Sequence, residues 1–159
     1  MLSIWMILAS ILIFSISGLP ACLLSLRSAI GQRIAVALMF LGSGLGLGSI
    51  ILSLCQTSPP SLCIPWFVPW GQFLITIDSI SILFLVPIFL VPALGSFYGL
   101  GYWKQSQHPE NGRQLGLFYG LLAGSMALVT VARDGVLFLI AWEVMAISAY
   151  FAATAANNN

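Results

Sequence analysis

The sequence contains five long apolar runs, four without any charged residue and a fifth interrupted by one charge. The hydrocarbon core of a bilayer is about 30 Å thick, so a crossing helix needs about 20 predominantly apolar residues. The runs cover residues 3–26, 34–55, 79–103, 115–132 and 135–155. Only 6% of the 159 residues are charged, against about 25% in soluble domains. We therefore predict an all-α integral membrane protein with a bundle of five transmembrane helices.

Charge and cysteine content exclude several classes of function. The net charge is +1 and no basic run is present, which argues against a nucleic-acid partner. Cys22, Cys55 and Cys63 form no metal-ligand spacing with the single His108. No cysteine pattern suits an iron–sulfur cluster, and no glycine motif suits a nucleotide. We expect no cofactor, no metal and no enzymatic active site within this chain.

The distribution of Lys and Arg predicts the orientation, because these residues accumulate in cytoplasmic loops. Four of the five lie in the loops expected after the first and third helices, namely Arg27, Arg33, Lys104 and Arg113. The loop of residues 56–72 carries no charge, and the loop before the fifth helix carries only Arg133 beside Asp134. We expect the N-terminus outside and the C-terminus inside.

The predicted outer loop is rich in proline and contains Trp66 and Trp70. This composition indicates a short irregular cap whose indole rings lie at the headgroup level. Asp78 follows this loop, immediately before the third apolar run. We interpret this point as a solvated helix entrance that is capped by Asp or Ser.

Small residues and prolines predict where the helices approach one another. Inserted helices gain little further from the hydrophobic effect, so close backbone approach has to hold a bundle together. Glycines recur at four-residue spacing as Gly42 with Gly46, Gly44 with Gly48, and Gly116 with Gly120 and Gly124. They predict tight packing, although glycine is also simply common in membrane helices. Pro87 and Pro92 indicate either packing kinks or a loosened turn on a transport path.

Glu143 is the one ionisable residue inside an apolar run. At 1.5 Å per residue it lies about 12 Å beyond Gly135, near the middle of the bilayer. Arg133 is ten residues away on another helix face, and we expect all five basic residues in loops. Either a cation on another helix pairs with Glu143, or the carboxyl group holds a proton. Both states suit proton transfer, whereas a purely structural hydrogen-bond donor is the alternative.

Further residues are expected on the same helix face as Glu143, since they follow the spacing of one side of a helix. They are Leu139, Ile140, Ala146, Ile147 and Tyr150. This face brings a small residue and a phenol close to the acid, with room for a water molecule.

A family resemblance rests on the segment Trp142-Glu143-Val144-Met145, followed by Ser148 and Tyr150. It resembles the fifth helix of the antiporter-like subunits shared by respiratory complex I, membrane-bound hydrogenases and multisubunit cation/proton antiporters. The segment 78–81 is similar to the entry of that family's third helix. The segments 98–103 and 132–138 are most similar to the hydrogenase-four and formate hydrogenlyase branch.

The resemblance implies a proton-relay role for Glu143. In that family the fifth-helix glutamate pairs with a lysine on the seventh helix and begins a path of buried Lys and His residues. Only Glu143 has a matching position here, with Trp142, Tyr150 and Asp78 as possible supporting residues. Family members have many more helices, so we expect residues 1–156, with the polar tail 157–159, to be an N-terminal fragment.

The expected setting follows from the same resemblance. The partners would be the lipid bilayer and other membrane subunits of an NADH-quinone oxidoreductase or hydrogenase-type complex, in a prokaryotic plasma membrane. The redox centres would belong to those other subunits. The alternative is a small structural or scaffold membrane protein without transport activity. A small drug exporter fits the length but not the five-helix topology.

Overall fold

The computed structural model describes residues 1–23, 30–68, 70–102 and 111–155. The elements are α1 (Leu2–Ile16), α2 (Leu19–Leu23), α3 (Ile30–Leu54), β1 (Ser61–Pro65), β2 (Gln72–Thr76), α4 (Ser79–Tyr102), α5 (Asn111–Val131) and α6 (Gly135–Thr154). With α1 and α2 taken as one span, five segments are long and apolar enough to cross a membrane. The prediction of an all-α membrane protein with five crossing helices is confirmed.

The basic residues lie closer to the helices than expected. The structure places Arg33 and Arg113 in the first turns of α3 and α5, so the prediction that all basic residues lie in loops is wrong. A long side chain in the first turn of a helix can bury its methylene groups and still hold its charge in water. Other residues used in the sequence analysis lie outside the described part of the chain: 24–29, including Arg27, then Trp103, Lys104, His108 and 157–159.

Four spans form a core, and the fifth packs on its outside. The first span contacts both α3 and α5, and α4 also packs on α3 and α5. Phe14 of α1 and Phe89 of α4 meet inside this ring, edge to face, with ring centroids 5.5 Å apart. Both side chains are fully buried. Helix α6 packs chiefly on α5, so it lies at the edge of the bundle.

The first span is broken, although the apolar run predicted one continuous helix. Helix α1 ends at Ile16, and α2 begins at Leu19. Pro20 has no backbone N–H and therefore cannot donate to the carbonyl of Ile16 one turn earlier. At the break, a Cβ atom on Gly18 would lie 2.6 Å from the carbonyl oxygen of Gly116. Backbone of α5 therefore occupies the space beside the break.

The glycine stripes are confirmed on the sides that face α1 and the core. A Cβ atom on Gly42 would lie 2.6 Å from the Phe14 ring, and one on Gly46 would lie 2.5 Å from the Phe89 ring. On α5, Gly120 lies against the Phe14 carbonyl and Gly124 against Ser15. The remaining glycines do not fit the prediction. Gly44 and Gly116 have no neighbouring atom within 4 Å of a Cβ position, and Gly48 meets only the tip of Met6.

The loop that was predicted to lie outside forms a β-hairpin, and the prediction of an irregular cap is wrong. Strands β1 and β2 pair antiparallel, with Ser61 opposite Thr76. Ile75 also forms a bridge with Ala132, and the Arg133 N–H donates to the Leu74 carbonyl at 2.9 Å. The link between α5 and α6 therefore extends the hairpin. Backbone groups on both edges of β2 are hydrogen-bonded, so Ile75 can be buried without leaving its backbone groups unpaired.

The two loop tryptophans have different surroundings. Trp66 is half-buried and packs on Phe73 with ring centroids 6.1 Å apart. Trp70 is 98% exposed, beside the equally exposed Phe67, and its φ of 61° is uncommon for a bulky residue. Only Trp70 is therefore free to reach a headgroup layer.

Helix α4 continues through both of its prolines. Pro87 and Pro92 lie inside Ser79–Tyr102, and each leaves the carbonyl four residues earlier without its helical donor. The Tyr119 hydroxyl on α5 donates to the carbonyl of Pro92 at 3.2 Å. This bond joins α4 to α5 near the second proline.

Two glycines of α3 provide a matched test of this packing. We expect Gly46→Ala to destabilise the bundle by about 1–3 kcal/mol, because its methyl group would overlap the buried Phe89 ring. Gly44→Ala should be neutral, or stabilising by up to about 1 kcal/mol, because its Cβ position is open and alanine favours helix. Thermal unfolding in the same detergent measures both variants. Equal effects of the two substitutions would contradict the packing described here.

Candidate functional site

Glu143 projects from the side of α6 that faces away from the other helices. Leu137, Ala141 and Ser148 are the buried residues of α6, and α5 is the main neighbour of this helix. Glu143 follows Ala141 by two residues, about 200° around the helix. Its side chain is exposed. Within the described chain no side chain covers Glu143, so the expected burial of this carboxyl group would have to come from the bilayer or from another segment.

The residues expected beside Glu143 do share its side of α6. We call this surface the Glu143 face, which consists of Leu139, Ile140, Glu143, Ala146, Ile147 and Tyr150. All six are exposed, and the exposed fraction of Tyr150 is 64%. The Glu143 face is thus an apolar strip with one carboxyl group at its centre, about 12 Å along the helix from Gly135.

Within the described residues, Glu143 has neither a hydrogen bond nor an ion pair. The ion pair between Arg133 and Asp78 lies at the α5–α6 link, ten residues before Glu143 in the sequence. An ionised carboxylate at mid-span costs several kcal/mol when it faces hydrocarbon. Bare hydrocarbon is therefore an unfavourable environment for a carboxylate on the Glu143 face, and a polar or basic group that covered it would remove this cost.

The three supporting residues do not converge on Glu143. Tyr150 lies on the same face, but it is two turns away, about 10 Å along the axis, and its ring contacts Phe151. Trp142 points about 100° to one side and packs on Phe138, with ring centroids 5.5 Å apart. Asp78 precedes α4, at the hairpin end of the bundle. Only Tyr150 can share a partner with Glu143.

Asp78 belongs to a polar cluster that sequence reasoning found only in part. Its Oδ1 accepts from the Ser81 N–H at 2.7 Å, which confirms the predicted cap of α4. Its Oδ2 accepts from Arg133 Nη2 at 2.7 Å, and the same nitrogen donates to Ser81 Oγ at 2.7 Å. The sequence did contain a signal for this cluster, because the opposite charges Asp78 and Arg133 lie at helix ends on the same predicted side of the membrane.

The hydrogen bonds explain the acidity of Asp78. Its pKa is lowered from 3.8 to about 2. The largest cause is the backbone N–H of Ser81, followed by the Ser81 hydroxyl and the Arg133 guanidinium, while partial burial acts in the opposite direction. An anion that accepts several hydrogen bonds is stabilised relative to its protonated form. Asp78 is therefore ionised at neutral pH.

The other polar groups near Asp78 also form hydrogen bonds at the helix ends. Asp134 Oδ1 accepts from the N–H groups of Val136 and Leu137 and so caps α6. Arg133 Nη1 donates to the carbonyls of Thr130 and Ala132. The cluster joins the starts of α4 and α6 to the end of α5. We assign it a structural role in holding the hairpin on the bundle.

The metal-ligating and thiol side chains of the described residues are dispersed. They contain no group of three or more His, Cys, Asp or Glu side chains that could hold a metal. Cys22, Cys55 and Cys63 are free thiols. Cys63 donates to Gln72 Oε1 across the hairpin at 3.3 Å.

The polar cluster predicts a specific acid sensitivity. The folded-state pKa of Asp78 is below its ordinary value, so its contribution to stability is complete above pH 4 and is lost as the pH falls toward 2. Asp78 and Arg133 are about one-third exposed, so Asp78→Asn should cost only about 0.2–1 kcal/mol at pH 7. Thermal unfolding between pH 7 and pH 2 measures this effect.

The control for this experiment is Arg133→Gln. It removes the ion pair but leaves the Ser81 N–H bond, the largest cause of the lowered pKa. Between pH 4 and pH 2, we expect the stability of Arg133→Gln to fall nearly as much as that of the unsubstituted protein. The stability of Asp78→Asn should not show this fall. An unchanged pH profile in Asp78→Asn would contradict the assignment.

Comparison with known proteins assigns no family to this geometry. No protein-family model matches the chain, and no curated protein matches it. A function therefore has to be inferred from the residues of the chain and their arrangement.

Proposed function

We propose that this chain is the N-terminal portion of a proton-translocating membrane subunit of a respiratory or hydrogenase-type complex. In this proposal Glu143 accepts and releases a proton near the middle of the membrane. The observation that carries it is the position of Glu143 at mid-span on the side of α6 turned away from the bundle. No described residue neutralises it there.

The energetics of the Glu143 face support a partner in the membrane. Bare lipid tolerates the apolar side chains of this face, but it stabilises neither a carboxylate nor its transfer of a proton. A neighbouring helix that carries a basic side chain would do both, because an opposite charge nearby favours the ionised form. The resemblance at Trp142-Glu143-Val144-Met145 implies such a neighbour, a lysine on a later helix of the same family.

The division of labour follows from what the described chain contains. Glu143 supplies one protonatable group, and the resemblance assigns the following Lys and His groups to later helices. Oxidation and reduction would take place in other subunits of the complex. The four-helix core then acts as the support that holds α5, and through α5 it holds α6 at a fixed position.

A scaffold role is the second candidate. It is favoured by the fact that no hydrogen bond among the described residues leads from Glu143 into the core of the bundle. In this alternative a protonated Glu143 donates one hydrogen bond to an adjoining subunit and moves no proton. A glutamine can make that bond but cannot transfer a proton, so one substitution separates the two candidates.

The test is Glu143→Gln in the assembled complex, reconstituted in vesicles that contain a pH-sensitive dye. We expect the rate of proton uptake to fall by about a hundredfold or more, from the lower end of the range that a positioned acid–base group contributes. Asp134→Asn is the matched control. It also converts a carboxylate of the α6 region to an amide, and asparagine still caps a helix, so proton uptake should be unchanged.

Assembly has to be measured on the same samples, as the amount of intact complex on a native gel. An assembled Glu143→Gln complex with normal proton uptake would overturn the proton-relay proposal and favour the scaffold. Partial recovery of uptake in Glu143→Asp would support the proton-relay proposal, because the carboxyl group is then restored at a shorter reach.

A further inference from the structure

A cavity of about 350 Å³ lies within the four-helix core, near the end at which α2 and α4 finish and α3 and α5 begin. We call this end the basic end. The cavity walls come from the first span, α3, α4 and α5. Ligand pockets in proteins measure about 300–1,000 Å³, so the volume is large enough for a ligand or for part of a longer one.

Glycines on two helices line this space. Gly95 and Gly99 of α4 and Gly112 and Gly116 of α5 all line the cavity. A Cβ atom on Gly99 or Gly116 would meet no other atom within 4 Å. Gly42 and Gly120 differ from them, because each is in close contact with α1. The glycines at 99 and 116 therefore keep a space open, which close-packed protein interiors rarely leave empty.

The polar side chains of the wall are directed to the backbone. Gln32 Nε2 donates to the Gly99 carbonyl at 3.2 Å, and Ser96 Oγ donates to the Ala93 carbonyl at 2.7 Å. The Tyr119 hydroxyl donates to the Pro92 carbonyl at 3.2 Å. With these bonds made, the cavity presents mainly CH groups. Its chemistry fits a hydrocarbon chain better than a polar ring.

The charges around the basic end favour an anion there. Gln32 and Gly112 line the cavity, and the next residue after each is an arginine in the first turn of its helix. Arg33 is exposed. In the sequence, the joining segments 24–29 and 103–110 contain Arg27, Lys104 and Glu110.

We propose that this cavity holds an acyl chain of an anionic membrane phospholipid, with the headgroup phosphate beside Arg33 at the start of α3. From Gly112 to Tyr119 the cavity extends about 10 Å along α5, within the depth of about 15 Å that one leaflet provides. The proposal does not depend on the proton relay, because none of the residues of the Glu143 face lines the cavity.

The test uses the full chain in nanodiscs of phosphatidylcholine, doped with phosphatidylglycerol that carries a photoactivatable group on one acyl chain. We expect labelling at Val36 and Met39, which line the cavity but are only 8% and 2% exposed. Lipids that surround the bundle do not reach these two side chains. Labelling confined to exposed side chains would overturn the proposal, and this measurement needs no variant.

Two substitutions fill the cavity, and a third is their control. Gly99→Leu and Gly116→Leu place side chains in open space, so labelling at Met39 should fall about tenfold. Gly44 also has open space at its Cβ position but does not line the cavity, so Gly44→Leu should leave the labelling unchanged. Undiminished labelling in both cavity variants would contradict the assigned site.

The headgroup is tested separately. Arg33→Gln should reduce labelling by phosphatidylglycerol to the level given by phosphatidylcholine with the same photoactivatable chain. An unchanged preference would overturn the assignment of the phosphate to Arg33. Inorganic phosphate should not compete with the probe, since the acyl chain supplies much of the binding. Competition by phosphate alone, or stronger labelling by a photoactivatable quinone, would overturn the phospholipid as occupant.

Discussion

The close packing of helix α1 against glycine is the contact on which the rest of the bundle depends. Helices in a bilayer gain little from burying apolar surface against one another, so they associate where backbones approach closely. Phe14 lies against Gly42 of α3, its carbonyl lies against Gly120 of α5, and its ring meets Phe89 of α4. One residue thus joins the three neighbouring spans. Ser10 adds a hydrogen bond to the Gly42 carbonyl at 2.6 Å.

This arrangement explains the unusual exposure of α6. The core is complete with four spans, so α6 is held mainly by α5 and, at its start, by the hairpin. Its buried residues form one narrow side, whereas Glu143 occupies the opposite side. A carboxyl group on the outside of this four-span core contributes little to the stability of the bundle. Its position suits contact with a further membrane segment, which is why the proposed proton relay extends beyond these residues.

The two proposed sites need occupants of different chemistry. The Glu143 face needs a polar partner because a charge is costly in hydrocarbon. The cavity at the basic end needs an apolar occupant because its wall already satisfies its polar groups internally. The hairpin cluster around Asp78 and Arg133 is separate from both sites, and it fixes where α4 and α6 begin. Loss of one site therefore need not disturb the others.

The sequence alone determined the features that depend on local composition and periodicity. The five spans, the depth of Glu143 and the set of residues on its side of α6 follow from run length and helical geometry. A cap by Asp or Ser before the third apolar run also follows from the sequence, and the structure assigns it to Asp78.

Only the tertiary structure decided which side of each helix is covered, because covering depends on residues distant in the sequence. The same four-residue glycine spacing packs closely at Gly42 and Gly46 but lies open at Gly44. The hairpin depends on pairing β2 with both β1 and Ala132, and Arg133 reaches Asp78 across 55 residues of sequence. The exposure of Glu143 was likewise decided by α5, which takes up the opposite side of α6.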